Sequence, residues 1–225
     1  MENILQFKNV NYSYGKDSLI LKDIDVNFEK GKFYTIVGQS GSGKTTFISL
    51  ACGLDKQDSG DIIYKGEKLK SIGLEKFRNQ HVSIIFQGYN LLNYMTALEN
   101  VTSAMSIKNI KTENNKQFAL DMLQKVGIDN DKAKQKTLTL SGGQQQRVAI
   151  ARALCCQTDL IIADEPTGNL DENTSNEIID IFKDIVKNEG KTILMVTHNK
   201  EIAMESDEVY LVKNKNLIKV DKDKL

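Results

Sequence analysis

Eight residues, Gly38-Gln39-Ser40-Gly41-Ser42-Gly43-Lys44-Thr45, constrain this chain more than any other stretch. They meet the pattern G-x-x-x-x-G-K-[ST] at every fixed position. The apolar run Phe33-Tyr34-Thr35-Ile36-Val37 enters them and helix-forming residues from Thr46 to Cys52 follow, so the octapeptide should join a strand to a helix. Glycines let consecutive backbone N–H groups turn inward around phosphate oxygens with no Cβ in the way. The following helix presents its positive N-terminal end to the same anion. Lys44 is long enough to reach β- and γ-phosphates, and the Thr45 hydroxyl can ligate Mg²⁺. Gly38, Ser40, Gly41, Ser42, Gly43, Lys44, Thr45 and Thr46 are therefore the expected nucleotide-binding residues.

The rest of the chain supplies the sheet that such a loop requires. Leu19, Leu21, Ile24, Val26 and Phe28 alternate with polar residues, as in a half-buried N-terminal strand. Leu160-Ile161-Ile162-Ala163, Thr192-Ile193-Leu194-Met195-Val196-Thr197 and Val209-Tyr210-Leu211-Val212 read as short buried strands. Between them, Ile178, Ile181, Phe182 and Ile185 mark a helix that stops near Gly190. The middle of the chain is helical instead. Phe118, Met122 and Val126 recur every four residues over roughly 114–126, Gly127 is a plausible stop, and another helix should follow Ser141-Gly142-Gly143 with Val148, Ala151 and Leu154 on one face. Strands alternating with helices imply a mostly parallel sheet covered on both faces.

Two acids, Asp164 and Glu165, close the Leu160–Ala163 strand. Beside a phosphate loop, Asp164 is the natural Mg²⁺ partner. Glu165 is then placed to orient or deprotonate an attacking water.

Leu140-Ser141-Gly142-Gly143-Gln144-Gln145-Gln146-Arg147 resembles the LSGGQ motif of ABC ATPases, and it precedes the Asp164-Glu165 strand in the order that family uses. Physically it is a second helix N-terminus with a small hydroxyl residue and two glycines, suited to an anion or simply to an N-cap at Ser141. The resemblance runs from about residue 4 to 220. It implies a P-loop NTPase α/β fold with a mostly parallel central sheet, an N-terminal antiparallel β region and an inserted α-helical subdomain. The chain would be one domain, 1–225, with 1–87 and 158–225 as catalytic core and 88–157 as the helical subdomain.

The same resemblance implies the remaining roles. Ser141 and Gly143 of one copy would touch the γ-phosphate held by the other copy's loop, with Gly142, Gln144 and Asp171 counted in the same nucleotide-binding set. Gln87, after the strand-like His81–Phe86, resembles the glutamine that contacts Mg²⁺ and the water. His198 resembles the histidine that holds the γ-phosphate. Asn169-Leu170-Asp171 resembles the loop that crosses the dimer interface, although Asp171 also suits a helix N-cap. Tyr14 resembles the aromatic residue that stacks on adenine, with Tyr12 the competing choice. Catalysis would fall to Glu165, His198, Lys44 and Gln87, and Mg²⁺ to Thr45, Gln87 and Asp164. The run Asp164-Glu165-Pro166-Thr167-Gly168-Asn169-Leu170-Asp171 looks like the branch of lipoprotein-release, macrolide-export, cell-division and antimicrobial-peptide-resistance ATPases. Asn93 and Thr158 depart from prolines frequent in that branch, both outside the chemistry.

Such a chain would hydrolyse ATP as a head-to-tail dimer and drive a separate integral-membrane permease, exporting, extracting or resisting a lipophilic or peptide substrate. A chain that only signals through a membrane partner would read the same. The segment Gly88-Tyr89-Asn90-Leu91-Leu92-Asn93-Tyr94-Met95 is unusually apolar for a loop and resembles the family's docking site for the permease. No apolar run approaches the ~20 residues that cross a bilayer. The N-terminus lacks the pattern of a secretory signal, so a cytoplasmic protein peripheral to the inner face of the membrane is expected. Lys+Arg and Asp+Glu are both 30, which argues against nucleic acid as a partner. Cys52, Cys155 and Cys156 fit reduced core residues. The Lys-rich end from Lys213 to Leu225 is expected to be solvated.

Overall fold

A computed structural model describes residues 2–15 and 18–224. In chain order it runs β1 (Asn3–Ser13), β2 (Leu19–Glu29), β3 (Phe33–Val37), α1 (Lys44–Ala51), β4 (Ser59–Tyr64), β5 (Glu67–Lys68), α2 (Leu69–Ile72), α3 (Leu74–Gln80) and β6 (Val82–Phe86). Four helices follow, α4 (Ala97–Ile107), α5 (Asn115–Lys125), α6 (Asn130–Ala133) and α7 (Gly142–Cys155). The chain then returns to alternation with β7 (Leu160–Asp164), α8 (Glu172–Glu189), β8 (Thr192–Val196), α9 (Lys200–Met204), β9 (Glu208–Lys213) and β10 (Asn216–Val220).

The six-stranded sheet has the order β10-β9-β3-β8-β7-β6, with only β10 antiparallel to its neighbour. β3 and β8 are buried along their whole length, as continuous apolar runs covered on both faces must be. Register aligns Ile36 with Val196, Val196 with Asp164, and Asp164 with Phe86. The C-terminal ends of β3, β8, β7 and β6 are thus flush. In an open parallel sheet, ligands bind in the crevice beyond those ends.

A second sheet, β2-β1-β4-β5, is antiparallel. β2 reads with two phases: Leu21 and then Ile24, Val26 and Phe28 are buried. The three-residue step is a bulge, since the pairing moves from Tyr12–Leu21 to Val10–Ile24 and Asp23 takes φ 48°. Phe7 of β1 stacks on Phe47 of α1 at 4.6 Å, and Phe28 of β2 meets Tyr34 and Tyr210 edge-on at 5.0 and 5.5 Å. This aromatic cluster fastens the antiparallel sheet over α1 and the strands β3 and β9.

Helices α4–α7 lie between β6 and β7 in the chain, and their apolar residues join those of one sheet face, including Ile85, Ile161 and Met195, in a single core. On α5 the fully buried residues are Ala119 and Leu123, with Phe118 and Met122 only partly covered. The inward face is therefore centred on Ala119 and Leu123, with Val126 buried at its end as expected and Phe118 and Met122 at its margin. Val148, Ala151 and Leu154 are buried as expected, but so are Ala149, Ile150 and Ala153. α7 packs against α4, α5, α8 and β6, leaving little of its circumference to water. On α8, Ile178, Phe182 and Ile185 are buried, and Gly190 ends the helix at φ 62°.

The expected solvated tail is corrected in part. Asn216–Val220 pair with β9 through a turn at Asn214 and Lys215, both at positive φ, and Leu217 is buried. Leu225 lies outside the described residues. All three cysteines are buried and unpaired, and burial pushes the Cys52 thiol up to about 11 and the Cys155 thiol to about 12. Among the described residues, no helix is long and apolar enough to cross a membrane.

Candidate active site

β3 delivers Val37 to the glycine-rich loop. A Cβ on Gly38 would lie 2.7 Å from Ser42 Oγ and 2.9 Å from the Val212 carbonyl, so only glycine lets the loop start this close to β9. Gly43 precedes α1 at φ 107°, and no side chain caps the helix. The first backbone N–H groups of α1 are thus available to an anion, in the direction the helix dipole favours. Lys44 is only 7% exposed, and its ammonium donates to the carbonyls of Gly38 at 2.8 Å and Gln39 at 3.0 Å. The cation therefore lies along the loop. Ser40, Gly41 and Thr45 are exposed, while Thr46 is buried. Ser42 Oγ is buried with no hydrogen-bond partner among the described residues.

Thr46 Oγ1 lies 3.4 Å from Tyr14 Oη, which places Tyr14 beside the loop. The two tyrosine candidates differ sharply in environment. Tyr12 is 6% exposed, donates its hydroxyl to Asp55, and packs edge-on against Tyr14 at 5.1 Å. Tyr14 lies just past the end of β1 and is 55% exposed.

Three further strand ends carry the other residues of this edge. Asp164 is the last residue of β7. Burial, followed by the Glu165 carboxylate, pushes its carboxyl above the ordinary value, and the Lys44 ammonium pulls the other way. Glu165 takes φ 45°, a conformation costly for a residue with a Cβ, and its N–H donates to the Val196 carbonyl at 3.0 Å. Its Oε2 lies 3.2 Å from Nδ1 of His198, two residues past the end of β8. Gln87 follows β6; its Nε2 donates to Asn169 Oδ1, and Asn169 Nδ2 donates back to the Gln87 carbonyl, both at 3.3 Å. Gly168 makes room for this pair, since a Cβ there would sit 2.8 Å from Gln87 Nε2.

Ser141 caps α7: its hydroxyl accepts from the Gln144 N–H at 3.4 Å, and Gln144 Oε1 accepts from the Ser141 N–H at 3.0 Å. A Cβ on Gly143 would be 2.5 Å from Thr174 Cγ2, and one on Gly142 would be 2.9 Å from Tyr89 Oη. Both glycines permit close packing. Ser141, Gly143 and Gln144 line a cavity of about 390 Å³ with Arg147 and Thr174, and no residue of the glycine-rich loop contributes to it. Asp171 caps α8 by accepting from the Thr174 N–H at 3.0 Å, which holds its carboxyl below the ordinary value.

The sheet edge therefore gathers the loop, Gln87, Asp164, Glu165 and His198. Ser141, Gly143 and Gln144 line a separate cavity that includes none of these residues, and Asp171 lies two residues past the Asn169 that pairs with Gln87. Two arrangements escaped the reading of the sequence. The Gln87–Asn169 pair joins residues far apart in the chain, with no local signal. Arg152, which bonds the carbonyls of Tyr89 and Asn90, did leave one: a cation within the apolar Val148–Cys155 stretch of α7.

The family pattern of the ABC transporter matches residues 21–168. The ABC transporter ATP-binding protein YclH of Bacillus subtilis is 60% identical over 206 residues, 91% of each chain. The macrolide export ATP-binding/permease protein MacB of Mannheimia succiniciproducens is 40% identical over 96% of this chain, which spans only 34% of MacB. Among solved structures, the dimeric post-hydrolysis ATP-binding cassette MJ0796 with ADP and Pi aligns at a TM-score of 0.85 and 34% identity, covering 95% of this chain and 96% of that one. A flush row of strand ends around a phosphate loop and these likenesses converge: the chain belongs to the ABC transporter family, as an ATP-hydrolysing ATPase.

Proposed function

We propose that this chain closes head-to-tail with a second copy over two ATP molecules and drives a separate integral-membrane permease. The observation that supports this best is the division of the motifs. The glycine-rich loop, Asp164, Glu165 and His198 share one sheet edge, whereas Ser141 and Gly143 line a cavity elsewhere. If both sets act on one γ-phosphate, a second copy must bring its Ser141 end to the loop of the first. MJ0796 is a dimer by its description, and it has this fold.

Within each site, the loop N–H groups and Lys44 bind the β- and γ-phosphates. Tyr14 offers an exposed ring for the adenine, whereas Tyr12 is occupied within the fold. Glu165 orients the water and accepts its proton, and His198, joined to Glu165, holds the γ-phosphate. Thr45, Gln87 and Asp164 are the residues that would hold Mg²⁺. They present an all-oxygen donor set, and the unpartnered Ser42 hydroxyl within the loop suits the same phosphate–cation cluster. Mg²⁺ supplies charge neutralisation on the phosphates when bound.

MacB carries ATP-binding and permease functions by name, which supports a permease as the membrane partner of this chain. Segment 88–95, at the start of the 88–157 helical subdomain, offers the dock. Tyr94 is 69% and Leu92 41% exposed, while Leu91 and Met95 are half-buried. Asn100 holds the Leu92 N–H at 2.8 Å and its carbonyl at 3.1 Å, so these side chains stand on a fixed support. Such docking places the protein on the cytoplasmic face of the membrane, in service of export or extraction of a lipophilic or peptide cargo.

Glu165→Gln tests the site. It should retain ATP binding and cut turnover by about 10²–10⁴-fold, the usual worth of a positioned general base. Near-normal phosphate release by that variant would remove Glu165 from the role.

A further inference from the structure

A guanidinium from α7 grips the turn that follows Gln87. Arg152 Nη1 donates to the Asn90 carbonyl at 2.5 Å, and Nη2 donates to the Tyr89 carbonyl at 2.9 Å. Both acceptors belong to residues at positive φ, 60° for Tyr89 and 50° for Asn90. Neither is glycine, so each left-handed conformation is disfavoured on its own, Tyr89 more than Asn90, and needs support from its surroundings. The turn supplies only part of that support, through Tyr89 N–H to the Phe86 carbonyl at 3.1 Å and Asn90 N–H to the Gly88 carbonyl at 2.6 Å.

Arg152 is itself half-buried, and burial lowers its guanidinium below the ordinary value. No carboxylate pairs with it among the described residues. A cation held from water this way is tolerated when good acceptors meet its fork, and two adjacent carbonyls do so here. The turn touches α7 a second time, because Tyr89 Oη lies against Gly142, at the opposite end of the helix. One helix thus meets one dipeptide at both ends.

We propose that Arg152 is a positioning residue for hydrolysis: it locks the Tyr89-Asn90 turn onto α7, fixing Gln87 at the sheet edge and tying it to the helix that begins at Ser141. Gln87 is two residues before Tyr89, so any swing of the turn moves it. The Gln87–Asn169 pair, at 3.3 Å in both directions, is too long to hold it firmly alone. This inference rests on the reading of Gln87 and Ser141 as parts of the ATP site.

The test compares the full chain with Arg152→Met and Arg152→Lys. Readouts are the ATP dependence of hydrolysis and amide hydrogen exchange by segment. Arg152→Met should lower kcat roughly tenfold with KM within about twofold, because the turn shifts while the loop and Tyr14 stay in place. Exchange at Tyr89 and Asn90 should quicken while that of β3 and β7 is unchanged. Arg152→Lys should fall between, since an ammonium cannot fork across two carbonyls, and it serves if the Met variant does not fold. Faster exchange at the turn with unaltered kcat would overturn the proposal. So would unchanged exchange at the turn, or a loss of kcat and KM together with faster exchange throughout, which marks a purely structural residue. A wild-type chain without turnover would instead sink the ATP-site reading, and the exchange comparison would still show whether Arg152 holds the turn.

Discussion

At the scale of single residues, environment separates side chains that chemistry alone leaves equivalent. Tyr12 and Tyr14 are two positions apart, yet one is sealed against Asp55 and the other faces water beside Thr46. Tyr14→Ala should raise the KM for ATP several-fold, the loss of one stacking contact of about 1 kcal/mol, with little change in thermal midpoint. Tyr12→Phe should do the reverse, lowering stability by about 1 kcal/mol as Asp55 loses its donor, with KM unmoved. ATP titration and thermal unfolding of both variants separate the two effects. The sequence left Tyr12 and Tyr14 as competing choices, because it does not show where the strand stops. β1 ends at Ser13, a limit set by pairing with β2, and that limit puts Tyr14 outside the packed surface.

At the scale of elements, close approaches between helices and loops decide which residues are tolerated. Gly143→Ala would press a methyl into Thr174 Cγ2 and should destabilise the chain by about 1–3 kcal/mol. Adding Thr174→Ser removes that methyl while keeping the hydroxyl that bonds Asp171, so the double variant should recover most of the loss in a thermal double-mutant cycle. Strand ends carry weaker ties. Lys65, between β4 and β5, meets Asp159 at 2.5 Å just before β7, and this ammonium holds the Asp159 carboxyl below its ordinary value, with Lys191 assisting. The stability from this pair is complete above the ordinary carboxylate value and is lost as pH falls through the lowered one. Asp159→Asn should therefore cost up to about 1 kcal/mol at neutral pH, as expected for a solvent-accessible pair, and nothing once the carboxyl is protonated. Thermal midpoints measured from neutral to strongly acid pH check the sign.

At the scale of the whole molecule, the site read as half of a composite one predicts complementation. Lys44→Ala disables the loop of its own copy, and Ser141→Arg obstructs the end that a copy offers to its partner. Each variant alone should be inactive. Mixed, half of the dimers would be heterodimers, each with one intact site, so the mixture should reach about a quarter of the wild-type rate. A mixture as silent as its components would argue against the head-to-tail arrangement. The heterodimer fraction, read from a mass-tagged copy, controls for failure to associate.

The sequence by itself determined whatever depends on a few neighbouring residues. The Gly38–Thr45 loop, the Ser141 and Asp171 helix caps and the stop at Gly190 follow from local backbone and capping chemistry. The apolar runs of β3, β7 and β8 follow from burial on both faces. Only the tertiary structure decided what those pieces meet, because the order of strands in the sheet is not their order in the chain. Inserting β3 between β9 and β8, with β7 and β6 beyond, brings Lys44, Asp164, Glu165, His198 and Gln87 to one edge. The same packing pairs Gln87 with Asn169 and sets Arg152 on the Tyr89-Asn90 turn. Those contacts arise from long-range packing, and no short window of sequence encodes them.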